Sequence, residues 1–163
     1  MPRGAAGRVD NPEQYDVLYL SDGPGGACAE TFAYLSVWND LLLLGSPLLP
    51  DSVAAIATYA LDAAVCDLDD AARLVALGLR PSSVVTRERP VTQAWALRLF
   101  AEGRWAGVRW WSYHDPRWGS HGIWDIGALR LEGVEPVTLD HPGVGEAAEV
   151  LARPVHGRKG GGR

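Results

Sequence analysis

The first strong apolar signal is the run Asp-Val-Leu-Tyr-Leu-Ser over 16–21, closed by Asp-Gly-Pro-Gly-Gly over 22–26. A short apolar run bounded by turn residues predicts a buried strand followed by a turn. Ser21 or Asp22 then offers a cap for a helix over 26–38. On that helix Ala27, Glu30, Tyr34 and Trp38 fall mainly at i, i+3 or i+4 spacings and would share one face. Residues 39–50 are apolar, with Gly and Pro but no period, and the Ala-rich stretch 51–66 fits helix or strand equally. A helix is predicted over 67–78, with acidic residues at its start and Gly78 closing it. A loop follows over 79–91. The clearest helix runs over 92–103, where Ala94, Trp95, Leu97, Leu99 and Phe100 precede Gly103. Brief alternation over 107–112 predicts a strand, and 114–122 reads as a turn-rich loop. Short strands are expected over 123–126, 129–131 and 134–137.

No regular βαβα rhythm or internal repeat appears, so the pattern favours an α+β fold of small mixed or antiparallel sheets with flanking helices. The 163 residues fit one domain, expected over 1–156. The tail 157–163 is Gly-rich and basic and is expected to be disordered. Apolar residues at 47% and charged residues at 21% exclude wholesale disorder. A formal net charge of −5 argues against a protein that binds nucleic acid directly, because phosphate binders are normally basic. The longest apolar runs, around 53–57 and over 41–44, are too short to span a bilayer. The opening residues carry no signal-peptide core. Cys28 and Cys66 form no disulfide framework. A cytoplasmic chain without membrane partners is therefore expected.

Several residues could carry chemistry, and each has a plainer reading. Glu30 is a carboxylate within an apolar helix face, which must be partnered or reactive if buried, or else points to solvent. Arg8, in the loop before the first strand, could clamp a phosphate with its planar fork, or be a solvated surface side chain. Tyr19 could stack on a planar ring, or pack in the core. Ser112 could hydrogen-bond a ligand at a strand end, or simply terminate the strand. No Gly-x-Ser-x-Gly surrounds it, so a hydrolase nucleophile is unsupported. The Gly-rich segment 22–26 lacks the Lys-Ser/Thr of a phosphate loop and reads as a turn. His114 and His121 do not show diagnostic metal-ligand spacing, and no metal is expected. Seven tryptophans against two phenylalanines suggest dense packing, or an aromatic ligand platform such as a carbohydrate-binding module would present.

In order along the chain, Gly7-Arg8, Val17-Leu-Tyr-Leu-Ser21, Ala29-Glu30, Thr92-Gln93-Ala94 and Gly103-x-x-x-Gly107-Val-Arg-Trp-Trp-Ser112 form a pattern. The pattern resembles the RES domain, named for its Arg, Glu and Ser, which includes the toxins of RES–Xre toxin–antitoxin systems. The resemblance covers about 7–125, with Arg8, Tyr19 and Glu30 spaced eleven and eleven apart. The chain departs from the family after Gly-Arg, where Val9-Asp10 replaces an aromatic and Asn. Only seven residues precede Arg8, where the family has a further strand.

The resemblance implies a fold related to the ADP-ribosyltransferases. It implies cleavage of the nicotinamide–ribose bond of NAD, with the ADP-ribosyl group passing to phosphate, water or a protein. Carried over residue by residue, Arg8, Glu30 and Ser112 are the expected catalytic set, and Arg8, Tyr19 and Ser112 the expected NAD-binding set. Expected partners are NAD, inorganic phosphate and a helix-turn-helix antitoxin of the Xre type. Such a cleavage passes through an oxocarbenium-like transition state, which one carboxylate can stabilise. The alternative is a RES-like domain that binds a nucleotide or partner without catalysis. Within Gly107–Ser112, alternation puts Trp110 on the face of Ser112, so Trp110 is the one tryptophan expected near a cofactor.

Overall fold

A computed structural model describes residues 7–44 and 52–156. The predicted tail lies outside the described residues. In chain order the elements are β1 (Leu18–Ser21), α1 (Pro24–Phe32), β2 (Trp38–Asn39), β3 (Ala55–Leu61), β4 (Val65–Asp67), α2 (Ala71–Leu77), α3 (Pro81–Val84), α4 (Arg89–Ala101), β5 (Gly107–Trp111), β6 (Gly119–Ile123), β7 (Leu129–Pro136), α5 (Pro142–Val150) and β8 (Val155–His156). Short 3-10 turns occupy Asp40–Leu43 and Ile126–Ala128. This is the expected α+β class, with small sheets and helices that do not alternate regularly. The chain divides into two compact units. One takes in the described residues up to Asp22 together with Ala60–Arg130, and the other takes in Gly23–Tyr59 and the described residues from Leu131.

The first unit is built on a four-stranded sheet ordered β1-β6-β5-β4. β1 and β5 both run antiparallel to β6, and β4 runs parallel to β5. Register aligns Tyr19 with Gly122 and Val108, and Ser21 with Ser120 and Trp110. Strand alternation puts these residues on one face, together with Cys66, which pairs with Val108. That face carries the core. Cys66, Val108 and Trp110 pack with Val9, Leu68, Leu74 of α2, Val84 of α3, and Trp95, Ala96 and Leu99 of α4. The opposite face carries a polar cluster. Arg109 donates to Asp22 at 2.9 Å and to Asp67 at 3.2 Å, and His121 meets Asp22. Burial alone would raise the Asp22 carboxyl, but the hydrogen bonds from Arg109 and His121 outweigh it and hold the group below its ordinary range.

Gly122 decides how closely the chain can cross the core face. A Cβ there would meet Val9 Cγ2 at 2.6 Å. Only a residue without a side chain lets the loop carrying Val9 lie directly on the sheet.

The second unit pairs α1 with α5, drawn close where Gly143 lies against Pro24. β2 and β8 form a two-residue parallel ladder, Trp38 with Val155 and Asn39 with His156. A further sheet pairs β3 with β7.

Several expected elements shift. α1 begins at Pro24 behind Gly23, because Pro is suited to the first helical position. Asp22 cannot cap it: its carboxylate already accepts from Arg109 and from the Gly119 amide. α1 also stops at Phe32, so Tyr34 and Trp38 leave the helix, and Trp38 sits fully buried in β2. The 51–66 stretch resolves as strands β3 and β4. The helix expected over 67–78 starts late, because Asp67 ends β4 and Asp70 caps α2 by accepting from the Ala72 amide. Gly78 closes that helix as expected, at φ 64°. The loop over 79–91 contains α3 and the first turn of α4. The loop over 114–122 contains most of β6, a strand whose Gly and Ser residues mimic a turn. The two strands over 129–137 are one strand, β7.

None of the seven tryptophans is exposed, and Trp38, Trp95, Trp110 and Trp118 are buried. The tryptophans serve packing and present no exposed row of indole rings. Among the described residues no helix is long and apolar enough to cross a membrane.

Gly122→Ala is expected to lower stability by about 1–3 kcal/mol, the usual range for overpacking a closed contact. A thermal melt would register this as a drop of roughly 2–12 °C. An unchanged melting temperature would contradict the close crossing of Val9.

Candidate nucleotide-binding site

The loop Gly7–Asn11 crosses the core face and is fastened along its length. The Tyr19 hydroxyl accepts from the Val9 amide at 3.0 Å and donates to Asp10 Oδ1 at 2.6 Å. The Gly7 amide donates to the other Asp10 oxygen at 2.6 Å. The Tyr15 hydroxyl donates to the Val9 carbonyl at 2.9 Å, and Asn11 Nδ2 donates to the Tyr15 hydroxyl at 2.8 Å. The first turns of α4 hold the same loop from the other side. Thr92 Oγ1 donates to the Arg8 carbonyl at 2.5 Å, Gln93 Nε2 donates to the Gly7 carbonyl at 3.0 Å, and Asn11 Nδ2 also donates to the Gln93 carbonyl at 3.1 Å. Thr92 is fully buried, so its hydroxyl needs such a partner.

This fastening orients Arg8. Its Nη1 donates to the carbonyls of Val84 and Thr86, both at 2.8 Å. Its guanidinium carbon lies 6.0 Å from the centre of the Trp110 ring, within cation–π range. Tyr19 meets the same tryptophan edge to face, with ring centres 6.4 Å apart. Trp110 is 4% exposed, whereas Tyr19 is 41% exposed. A buried indole therefore joins a half-buried Arg and an exposed Tyr.

Burial raises the Tyr19 hydroxyl above its ordinary pKa, and the hydrogen bond to Asp10 raises it further. The group is a neutral donor at neutral pH.

Ser112 follows β5 on the Trp110 face and is 2% exposed. Its amide donates to the Trp118 carbonyl at 2.7 Å, and its Oγ accepts from the His114 amide at 3.2 Å. The bland expectation of a strand-terminal Ser and the functional one share this geometry. Glu30 belongs to the second unit. It is exposed on α1, whose buried residues are Gly25, Gly26, Cys28 and Ala29. The structure thus brings Arg8 and Tyr19 together at Trp110, sets Ser112 two residues beyond it, and presents Glu30 on a separate helix.

Sequence reasoning assigned no role to Asp10, Thr92 or Gln93. The Thr92-Gln93 pair was visible as part of a family pattern, but its work, holding the Arg8 loop, depends on contacts more than eighty residues apart. Among the described residues no group of three or more His, Cys, Asp or Glu is placed to hold a metal ion. His121 is instead engaged with Asp22. Cys28 and Cys66 are free and buried, and burial pushes the Cys28 thiol up to about 11.

The RES domain model matches residues 1–140. The match spans most of the chain, and the protein belongs to the RES domain family. RES domains occur in the NAD-degrading toxins of toxin–antitoxin systems, so the family is one of enzymes acting on NAD with antitoxin partners. Comparison with curated proteins and with solved structures gives no match.

Tyr19→Phe is expected to destabilise the fold by about 1–3 kcal/mol, because the Val9 amide loses its acceptor beside a fully buried residue. The raised Tyr19 pKa also fixes a pH dependence. The unfolded chain gives up this proton near pH ~10 while the folded chain keeps it. The Tyr19 contribution is therefore intact below that pH and is lost as pH climbs above it. Melting temperatures followed into alkali should fall less steeply for the Phe variant than for wild type. Equal slopes would contradict the assignment.

Proposed function

We propose that this chain is an NAD-consuming enzyme that breaks the nicotinamide–ribose bond and acts as the toxin of a toxin–antitoxin pair. The observation that carries the reading is the convergence of Arg8 and Tyr19 on Trp110, with Ser112 on the same face, in a chain of the RES family. A cationic fork beside an exposed aromatic ring suits a phosphorylated ligand with a planar base.

In the proposed reaction NAD is the substrate and needs no metal. The bond between ribose C1′ and the nicotinamide nitrogen breaks, and its electron pair leaves with nicotinamide. Nicotinamide departs neutral, so no general acid is required. Positive charge develops on the ribose, as in other oxocarbenium-like transition states. Glu30 supplies the carboxylate that stabilises this charge and accepts the acceptor's proton as its oxygen bonds to C1′. Arg8 grips a phosphoryl oxygen with its guanidinium. Tyr19 stacks on the nicotinamide or holds its ribose, and Ser112 hydrogen-bonds the nicotinamide ribose.

The acceptor is inorganic phosphate, water or a protein group. The antitoxin is a helix-turn-helix protein of the Xre type that closes the site, and both act in the cytoplasm. The low lysine and arginine content relative to acid, a net charge of −5, agrees with a protein that leaves DNA contact to its partner.

Purified wild-type protein should release nicotinamide from NAD, and dependence on added phosphate identifies the acceptor. Glu30→Gln should cut the rate by roughly 10²–10⁴-fold, the range for losing a positioned acid–base group. Because Glu30 is exposed, its melting temperature should stay within the shift of an ordinary surface substitution, ~0.5 kcal/mol. A fully active Gln variant would remove Glu30 from the mechanism. Binding of ADP-ribose without nicotinamide release by wild type would favour a non-catalytic RES-like binding domain instead.

A further inference from the structure

We infer that Arg89 is a second anion-binding residue of this site, taking an oxygen of the dinucleotide diphosphate through Nη1; this rests on the proposed NAD-consuming function. Arg89 opens α4, immediately before Pro90. Its carbonyl lies 3.1 Å from Thr92 Oγ1, the hydroxyl that donates to the Arg8 carbonyl. The backbones of the two arginines are therefore tied through one threonine. The positive field of Arg89 also reaches the Tyr19 hydroxyl.

The informative atom is Nη1. It is closed off from solvent and has no hydrogen-bond partner among the described residues. Guanidinium donors are rarely left unmade, because water or a carbonyl normally takes them. Arg8 shows the usual solution, with its Nη1 shared between two carbonyls. The other unpartnered arginine atoms differ in kind. Arg73 has an orphaned Nε, but its guanidinium lies over the Trp105 ring. Arg153 has an orphaned Nε, but its Nη2 donates to the Ala33 carbonyl. Both are anchored elsewhere along the same group.

Arg89 as a whole is only half-buried. Rotation about its terminal bonds turns Nη1 outward, and that nitrogen breaks no hydrogen bond in doing so. The planar fork matches phosphate oxygens, and the N-terminal end of α4 adds a favourable dipole for an anion. Arg8 is then the fixed cation beside Trp110, and Arg89 the cation with a donor to give.

The test compares wild type, Arg89→Gln and Arg89→Lys on NAD and on nicotinamide riboside, which has the same scissile bond but no phosphate. For Arg89→Gln the KM for NAD should rise about tenfold or more, with kcat nearly unchanged. Lys should recover part of the loss. Neither variant should alter the KM for nicotinamide riboside, and melting temperatures should stay level or rise. Unchanged KM for NAD, or equal losses on both substrates, would overturn the inference. A lower melting temperature with a kcat loss would also overturn it, as the mark of a structural role. If wild type releases no nicotinamide, the proposed function fails, and Arg89 is judged by titration with inorganic pyrophosphate. Binding at least about tenfold weaker in the Gln variant would sustain the inference. Equal binding, or none by wild type, would overturn it.

Discussion

The close passage of one short loop over one glycine organises the first unit. Val9 rests against Gly122, and the segment around it is fastened by Tyr19, Tyr15 and Asn11 and by Thr92 and Gln93 from α4. The bonds from Tyr19, Tyr15, Thr92 and Gln93 satisfy backbone groups that the loop would otherwise carry unpaired over an apolar face, and the Asn11 side chain ties the loop back to the Gln93 carbonyl. The same bonds fix the direction in which Arg8 leaves the chain. Stability and the placement of Arg8 thus share one set of contacts. A change that loosens the loop would both weaken the core and misplace the cation.

The tryptophan excess has a similar explanation. Trp95 packs from α4 and uses its indole N–H on the Ser83 carbonyl, so one side chain both fills the core and anchors α3. Trp110 is buried yet meets Arg8 and Tyr19, so it stiffens the site wall without needing to face solvent. Trp124 donates to the Trp105 carbonyl, meets Phe100 edge to face and packs at a tilt against Tyr15. Large rings with one polar edge suit a small sheet whose loops bring many carbonyls to the core boundary.

Legibility in the sequence follows the range of the interactions. β5 and α4 were readable because local alternation and helical period set them, although α4 starts three residues earlier than its pattern. β6 was hidden because Gly119-Ser-His-Gly carries turn chemistry. It is a strand only because β1 and β5 flank it and need its glycines for close approach. α3 was hidden because four residues give no period. Asp22 looked like a helix cap, and it serves Arg109 and His121 across about ninety residues instead. Arg8, Tyr19, Glu30 and Ser112 were singled out by ordered spacing and resemblance. Nothing local distinguishes Arg8 from a solvated arginine, since the Val84 and Thr86 carbonyls that hold it lie far along the chain. Arg89 had no signal at all, because an unmade hydrogen bond is a property of the folded surroundings.

On the proposed reading the dinucleotide binds on the sheet face that carries Arg8, Tyr19 and Trp110. Amide hydrogen exchange with and without ADP-ribose tests it most directly, since it reports where along the backbone a ligand adds protection. Slowed exchange is expected over the Gly7–Asn11 loop, β1 and the first turn of α4. Protection confined to other segments, such as β3 and β7, with those three unchanged, would contradict it.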